Sequence, residues 1–152
     1  MAGPQAEQIA ECFAAGPLET QVLGVEIGRA SALKMCYAAY TKGTTALLCA
    51  ILATAEDLGV RQALEQHWHR DDPQFADEVT QRVRRVTAKA WRFAGEMDEI
   101  ASTLRAAGLP GEFHAAAASV YRQLADFKSA RTTPALEEVL AALLQLGREP
   151  GA

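Results

Sequence analysis

The 152 residues fit a single domain, long enough to bury a hydrophobic core. A net charge of −4 with 49% apolar residues excludes nucleic-acid binding driven by the charge of the whole protein. The odd set Cys12, Cys36 and Cys49, with no C-x-x-C pair, fits an intracellular protein whose thiols are reduced and mostly buried.

No basic-then-apolar leader opens the chain. The longest uncharged run of the central helix, Gly43 to Ala55, falls short of the roughly 18 residues of a membrane span. A soluble, cytoplasmic protein that binds neither nucleic acid nor membrane is expected.

Residues 3–15 read as a short amphipathic helix, with Ile9, Cys12 and Phe13 on one side, ended by Gly16-Pro17. Leu18, Thr20 and Val22 alternate through LETQVLG, predicting a short strand ending at Gly24. A lone strand is unstable, so this opening reads as the tail of a sheet-containing domain.

Gly28 to Leu58 reads as one long helix, the element around which the rest is organised. Its apolar residues (Leu33, Cys36, Tyr37, Tyr40, Leu47, Leu48, Ile51, Leu52) occupy nearly every face, which predicts burial among other helices. Gly59 is a natural terminator. A short helix over 60–69 follows, then a restart with Asp72 as N-cap and Pro73 at the first helical position. From Gln74 to Ala107 apolar residues step by three or four, with Gly95 marking a bend or a close helix contact. A fifth helix is expected over 110–128. A last one, capped at Thr133-Pro134, is expected to close at Gly147. The predicted fold is all-α, a helical bundle around one long central helix, with a short α/β remnant at the N-terminus.

Lys34 and Lys42 lie within the apolar surface of the central helix. Small residues precede Lys34 in GRASALK, leaving room for a ligand beside an amine. A lysine desolvated there exchanges a proton at neutral pH. The alternative is a lysine that snorkels to water. Arg82, Arg85, Lys89 and Arg92 share one helix face. They read either as a phosphate-binding stripe or as a solvated face with internal pairs Glu78–Arg82 and Arg92–Glu96. His67 and His69 diverge on a helix and find no further ligand at metal spacing, so no metal site is expected. Trp68 reads as a core residue, His114 as structural or cleft-lining.

The runs GRASALKMCYAAYTKGTTALL and KAWRFAGEMDEIASTLRAAGLPGEFHAAAASVYRQL resemble the C-terminal helical domain of 6-phosphogluconate dehydrogenase-like proteins. This is the β-hydroxyacid dehydrogenase superfamily, which includes 3-hydroxyisobutyrate dehydrogenase. The nearest branch is the one labelled NAD-binding phosphogluconate dehydrogenase, and the resemblance covers residues 3–128. It implies that Lys34 is the general acid/base of hydride transfer, with Gly28 and Ala30 on the two glycine positions of the turn before it. Ala38 replaces the usual substrate-binding asparagine, so Ser31, Tyr37 and Thr41 are the candidate substrate-binding residues. Glu96 keeps the acid of a Lys-Asp pair near the cofactor. Gly95 replaces that lysine, whose role passes to Lys89 or Arg92 or is absent.

The resemblance further implies NAD or NADP as cofactor, a homodimer and a small hydroxy-acid substrate. The G-x-G-x-x-G turn of the dinucleotide-binding Rossmann domain does not occur in this sequence. The expected organisation is a Rossmann remnant over 1–27, a helical substrate and dimerisation domain over 28–147, and a disordered tail over 148–152. Such a chain is inactive without its Rossmann domain. The alternative is a non-catalytic helical dimerisation module derived from such an enzyme.

Overall fold

A computed structural model describes residues 1–145. Within them the chain is helical: α1 (Ala6–Glu11), α2 (Arg29–Asp57), α3 (Arg61–Asp71), α4 (Phe75–Ala106), α5 (Glu112–Gln123) and α6 (Leu136–Gln145), with a 3₁₀ segment at Ala125–Ser129. The predicted all-α class holds. The expected closure at Gly147 and the expected tail lie outside the described residues.

Two compact units divide the chain after Ala38, so α2 supplies residues to both. In the first unit the expected strand over 18–24 does not form. Residues 1–3 and 21–24 exchange only a few main-chain bonds, Leu23 N–H to Met1 O at 2.8 Å and Gly3 N–H to Gly24 O at 3.0 Å. Alternation is a signal for a strand, but a strand needs a neighbour along its length, and the described residues provide none. The helix expected over 3–15 is likewise shorter, stopping at Glu11 and unwinding through turns. Gly28, at φ +98°, turns the chain into α2, and its carbonyl takes the first helical bond from Ala32 N–H at 2.8 Å.

The second unit holds the core. Val79, Val83, Ala90, Met97 and Ile100 of α4 are buried with Ala117, Ala118 and Tyr121 of α5 and with Val139 and Leu140 of α6. Ala46, Cys49 and Leu52 of α2 are buried as well. The three-and-four spacing read along α4 is therefore its buried stripe. Phe93 meets Tyr121 edge to face, ring centroids 5.6 Å apart.

Both long helices end in the same way. Gly59 and Gly108 adopt positive φ, and Val60 N–H and Leu109 N–H reach back to the carbonyls of Ala55 and Leu104 at 2.8 and 2.9 Å. The helix starts differ from expectation. Asp72 does not cap α4 directly, because α4 begins at Phe75; its carboxylate instead takes the N–H of Gln74 at 3.0 Å. At α6 it is Glu138 that takes the N–H of Ala135, at 2.7 Å, in place of the expected cap at Thr133-Pro134.

Two burial expectations fail. The central helix is not covered all round: Tyr37 and Tyr40 are each 68% exposed, and Leu33 and Leu47 are exposed too. Cys12 and Cys36 are exposed, leaving Cys49 as the buried thiol. Trp68 is half-buried against Phe75, and Trp91 is exposed beneath Lys128.

Candidate functional site

In the first unit, Lys34 is exposed and lines a hollow of about 400 Å³ together with Leu23, Ala30, Leu33 and Tyr37. The backbone turn at Gly28 and the small side chain of Ala30 open the space, and the helix places Lys34 and Tyr37 one turn apart on its edge. Ser31 is exposed and does not line this hollow. Ala38, where the resemblance places an asparagine, is buried. The same unit leaves apolar side chains in the open: Leu18, Val25 and Ile27, the last 87% exposed.

Thr41 and Glu96 belong to the second unit. There Lys42 of α2 forms an ion pair with the Glu96 carboxylate, with side-chain exposures of 22% and 32%. The ammonium also stands 4.4 Å from the centroid of the Phe93 ring. Thus the cation beside Glu96 is Lys42, neither Lys89 nor Arg92. The hydroxyl of Tyr121 donates to the carbonyl of Lys42 at 2.6 Å. Burial, and then the neighbouring Cys49, push the Tyr121 phenol above its ordinary range. Burial pushes the Cys49 thiol up to about 12, so it is an inert packing group.

The basic face of α4 is not organised by internal pairs. Arg82 turns to α2, donating from Nε to Thr45 Oγ1 at 2.6 Å and from Nη2 to Thr44 Oγ1 and the Thr41 carbonyl, each at 2.5 Å. Glu96 is taken by Lys42, and Arg92 lies 5.4 Å from the Phe93 centroid. Among the described residues neither Glu78–Arg82 nor Arg92–Glu96 forms. His114 sits against Gly43, where an added Cβ would come within 3.0 Å of Nε2, and its Nε2–H donates to the Ala39 carbonyl at 3.3 Å. No group of three or more potential metal ligands occurs among the described residues. None of their helices is long and apolar enough to cross a membrane.

Against known proteins, residues 55–124 match the family described as a domain of unknown function, DUF1932. Such domains are the C-terminal helical domain of 3-hydroxyisobutyrate and 6-phosphogluconate dehydrogenase-like proteins, and the resemblance drawn from the sequence stands. The crystal structure of a conserved hypothetical protein from Sinorhizobium meliloti 1021 has the same fold, with a TM-score of 0.77 and 26% identity. The alignment covers 93% of this chain and 49% of that one, so this chain spans about half the length of that protein. No curated protein matches.

The second unit contains polar residues whose roles the sequence does not reveal. By sequence alone, Tyr121 is one apolar position of the fifth helix and Lys42 one of two lysines in an apolar helix. Their partners lie 79 and 54 residues away along the chain, and no local pattern signals such pairings. The one available hint was a cation in a helix otherwise short of polar groups, which needs a counter-charge when half-buried.

Proposed function

We propose that this chain is the substrate-binding and dimerisation half of an NAD(P)-dependent oxidoreductase acting on a hydroxy acid or a related CH–OH compound. The observation that carries this reading is the Lys34 amine on a hollow walled by Ala30, Leu33 and Tyr37, within a unit whose apolar side chains lack cover. An exposed apolar surface of this kind marks an interface. A dinucleotide-binding domain is the partner that the DUF1932 match favours.

The described residues do not themselves fit a dinucleotide. They contain no strand and no glycine fingerprint to cradle a pyrophosphate, and Glu96 is already engaged by Lys42. The cofactor is accordingly assigned to that partner domain. In this chain, Lys34 gives or takes the proton at the substrate hydroxyl oxygen. Tyr37, beside Lys34 on the hollow, orients the substrate by a hydrogen bond. Dimerisation is assigned to α2, where Tyr40 and Leu47, seven residues apart and so on one helix face, are both exposed.

The test is to supply a cognate dinucleotide-binding domain and follow reduction of NAD and of NADP over a panel of hydroxy acids. Lys34→Ala is expected to lower kcat by at least about 100-fold, the range of general acid–base catalysis. Full activity in that variant overturns the assignment. A second reading, a helical module without catalysis, is favoured by the buried Ala38 at the asparagine position. It predicts no turnover with any substrate while dimerisation persists.

A further inference from the structure

We infer that the hollow along α4 bounded by Arg82, Arg85 and Lys89 is a binding site for a small phosphate-bearing anion. It measures about 650 Å³, within the usual range of ligand pockets, and Thr45, Val86 and Phe93 complete its wall. This site lies wholly in the second unit, includes none of Ser31, Lys34 and Tyr37, and does not depend on the dehydrogenase reading.

Three features converge. First, the cations are uncommitted: among the described residues Arg85 and Lys89 have no carboxylate within ion-pair distance, although Glu78 and Glu96 are near them in sequence. Second, Arg82 is fixed. Its Nε and Nη2 are held by Thr45, Thr44 and the Thr41 carbonyl, so the guanidinium is pre-positioned, while Nη1 makes no hydrogen bond among the described residues. A guanidinium held in this way and facing a phosphate loses little side-chain entropy on binding. Third, Asp77 and Glu78 also line the hollow, on the part of α4 nearest its start. Two carboxylates beside three cations leave room for a compact anion but repel a polyanion that must run on past them. That asymmetry, with the net charge of −4, favours a small molecule over a nucleic-acid backbone. Val86 and Phe93, mostly buried, are the apolar part of the hollow's lining and can meet the organic part of a phosphate ester only at their edges.

The test is calorimetric titration of the whole chain with pyrophosphate and, separately, with phenyl phosphate at low salt. Binding of either is expected, weakened about tenfold or more in the exposed-residue variant Arg85→Gln/Lys89→Gln, since charge-assisted bonds to phosphate are the strong ones. Asp77→Asn/Glu78→Gln is expected to tighten it. Preference for phenyl phosphate identifies an organic ester as the ligand, and preference for pyrophosphate identifies an inorganic or polyphosphate one. Absence of binding, or affinity that both variants leave unchanged, overturns the site. So does a short DNA duplex that binds more tightly than either probe and loses affinity in the Gln variant.

Discussion

The hydroxyl of Tyr121 donates a 2.6 Å hydrogen bond to the main-chain carbonyl of Lys42, the residue whose ammonium pairs with Glu96. One position of α2 is thereby tied to α5 through its backbone and to α4 through its side chain. Replacing Tyr121 by Phe removes a buried bond while keeping the ring against Phe93. A loss of about 1–2 kcal/mol in urea-unfolding free energy is expected, with the slope of the transition unchanged.

The Lys42–Glu96 pair is half-buried, so breaking it from one side leaves an uncompensated charge. Glu96→Gln is expected to destabilise by about 1–3 kcal/mol, and Lys42→Met/Glu96→Gln by less than the sum of the two single changes. A double-mutant cycle measured by chemical denaturation checks this. Additive losses would show that the two groups do not act together.

Alkaline stability follows from the two buried acids. Cys49 ionises ordinarily near 9.0 but only at about 12 in the fold, and Tyr121 is also raised above its ordinary 10.0. A raised folded-state pKa means that the unfolded chain releases its proton first. Stability is therefore intact below pH 9 and falls as pH climbs toward 12, by up to about 1.4 kcal/mol per pH unit for each group. Cys49→Ala is expected to flatten the first part of that fall, measurable as the melting temperature between pH 8 and pH 10.5 (about the window of the thiol).

Two glycines separate helix propensity from packing. Gly95 lies inside α4 with nothing within 4 Å of an added Cβ, so it makes no close helix contact. Gly95→Ala is expected to stabilise by about 0.5–1 kcal/mol. At Gly111 the added carbon would lie 2.4 Å from the Ala101 carbonyl oxygen, an overlap that forces backbone movement. Gly111→Ala is expected to cost about 2 kcal/mol or more. Thermal unfolding of both variants decides the pair.

Self-association through α2 has its own test. Tyr40→Asp/Leu47→Glu is expected to shift sedimentation from dimer to monomer without loss of helicity, because both side chains are exposed in the single chain. An unchanged dimer would move the interface elsewhere.

What could be read in the sequence was the part governed by local periodicity and by glycine. The stripe Val79–Val83–Val86–Ala90–Phe93 gave the buried face of α4 because each residue repeats the one a turn before it. Gly59 and Gly108 marked helix ends because positive φ is cheap for glycine. The strand over 18–24 failed because a strand is defined by its partner, not by its own alternation. The basic face was misjudged for a related reason. Arg82 had Glu78 one turn away, yet its hydrogen bonds go to threonines of a different helix, and only the packed structure sets that choice. Exposure of Tyr37 and Tyr40 was equally hidden, since periodicity shows which residues want cover and not whether one chain can supply it.

Cys36 is exposed, next in sequence to Tyr37 on the helix proposed to meet its copy, and Cys12 is exposed as well. Air oxidation during purification would therefore stitch two copies together through sulfur, and the product would migrate as a pair whatever the strength of the native association. Dimer mass is informative only under reductant, or after both thiols are replaced by serine.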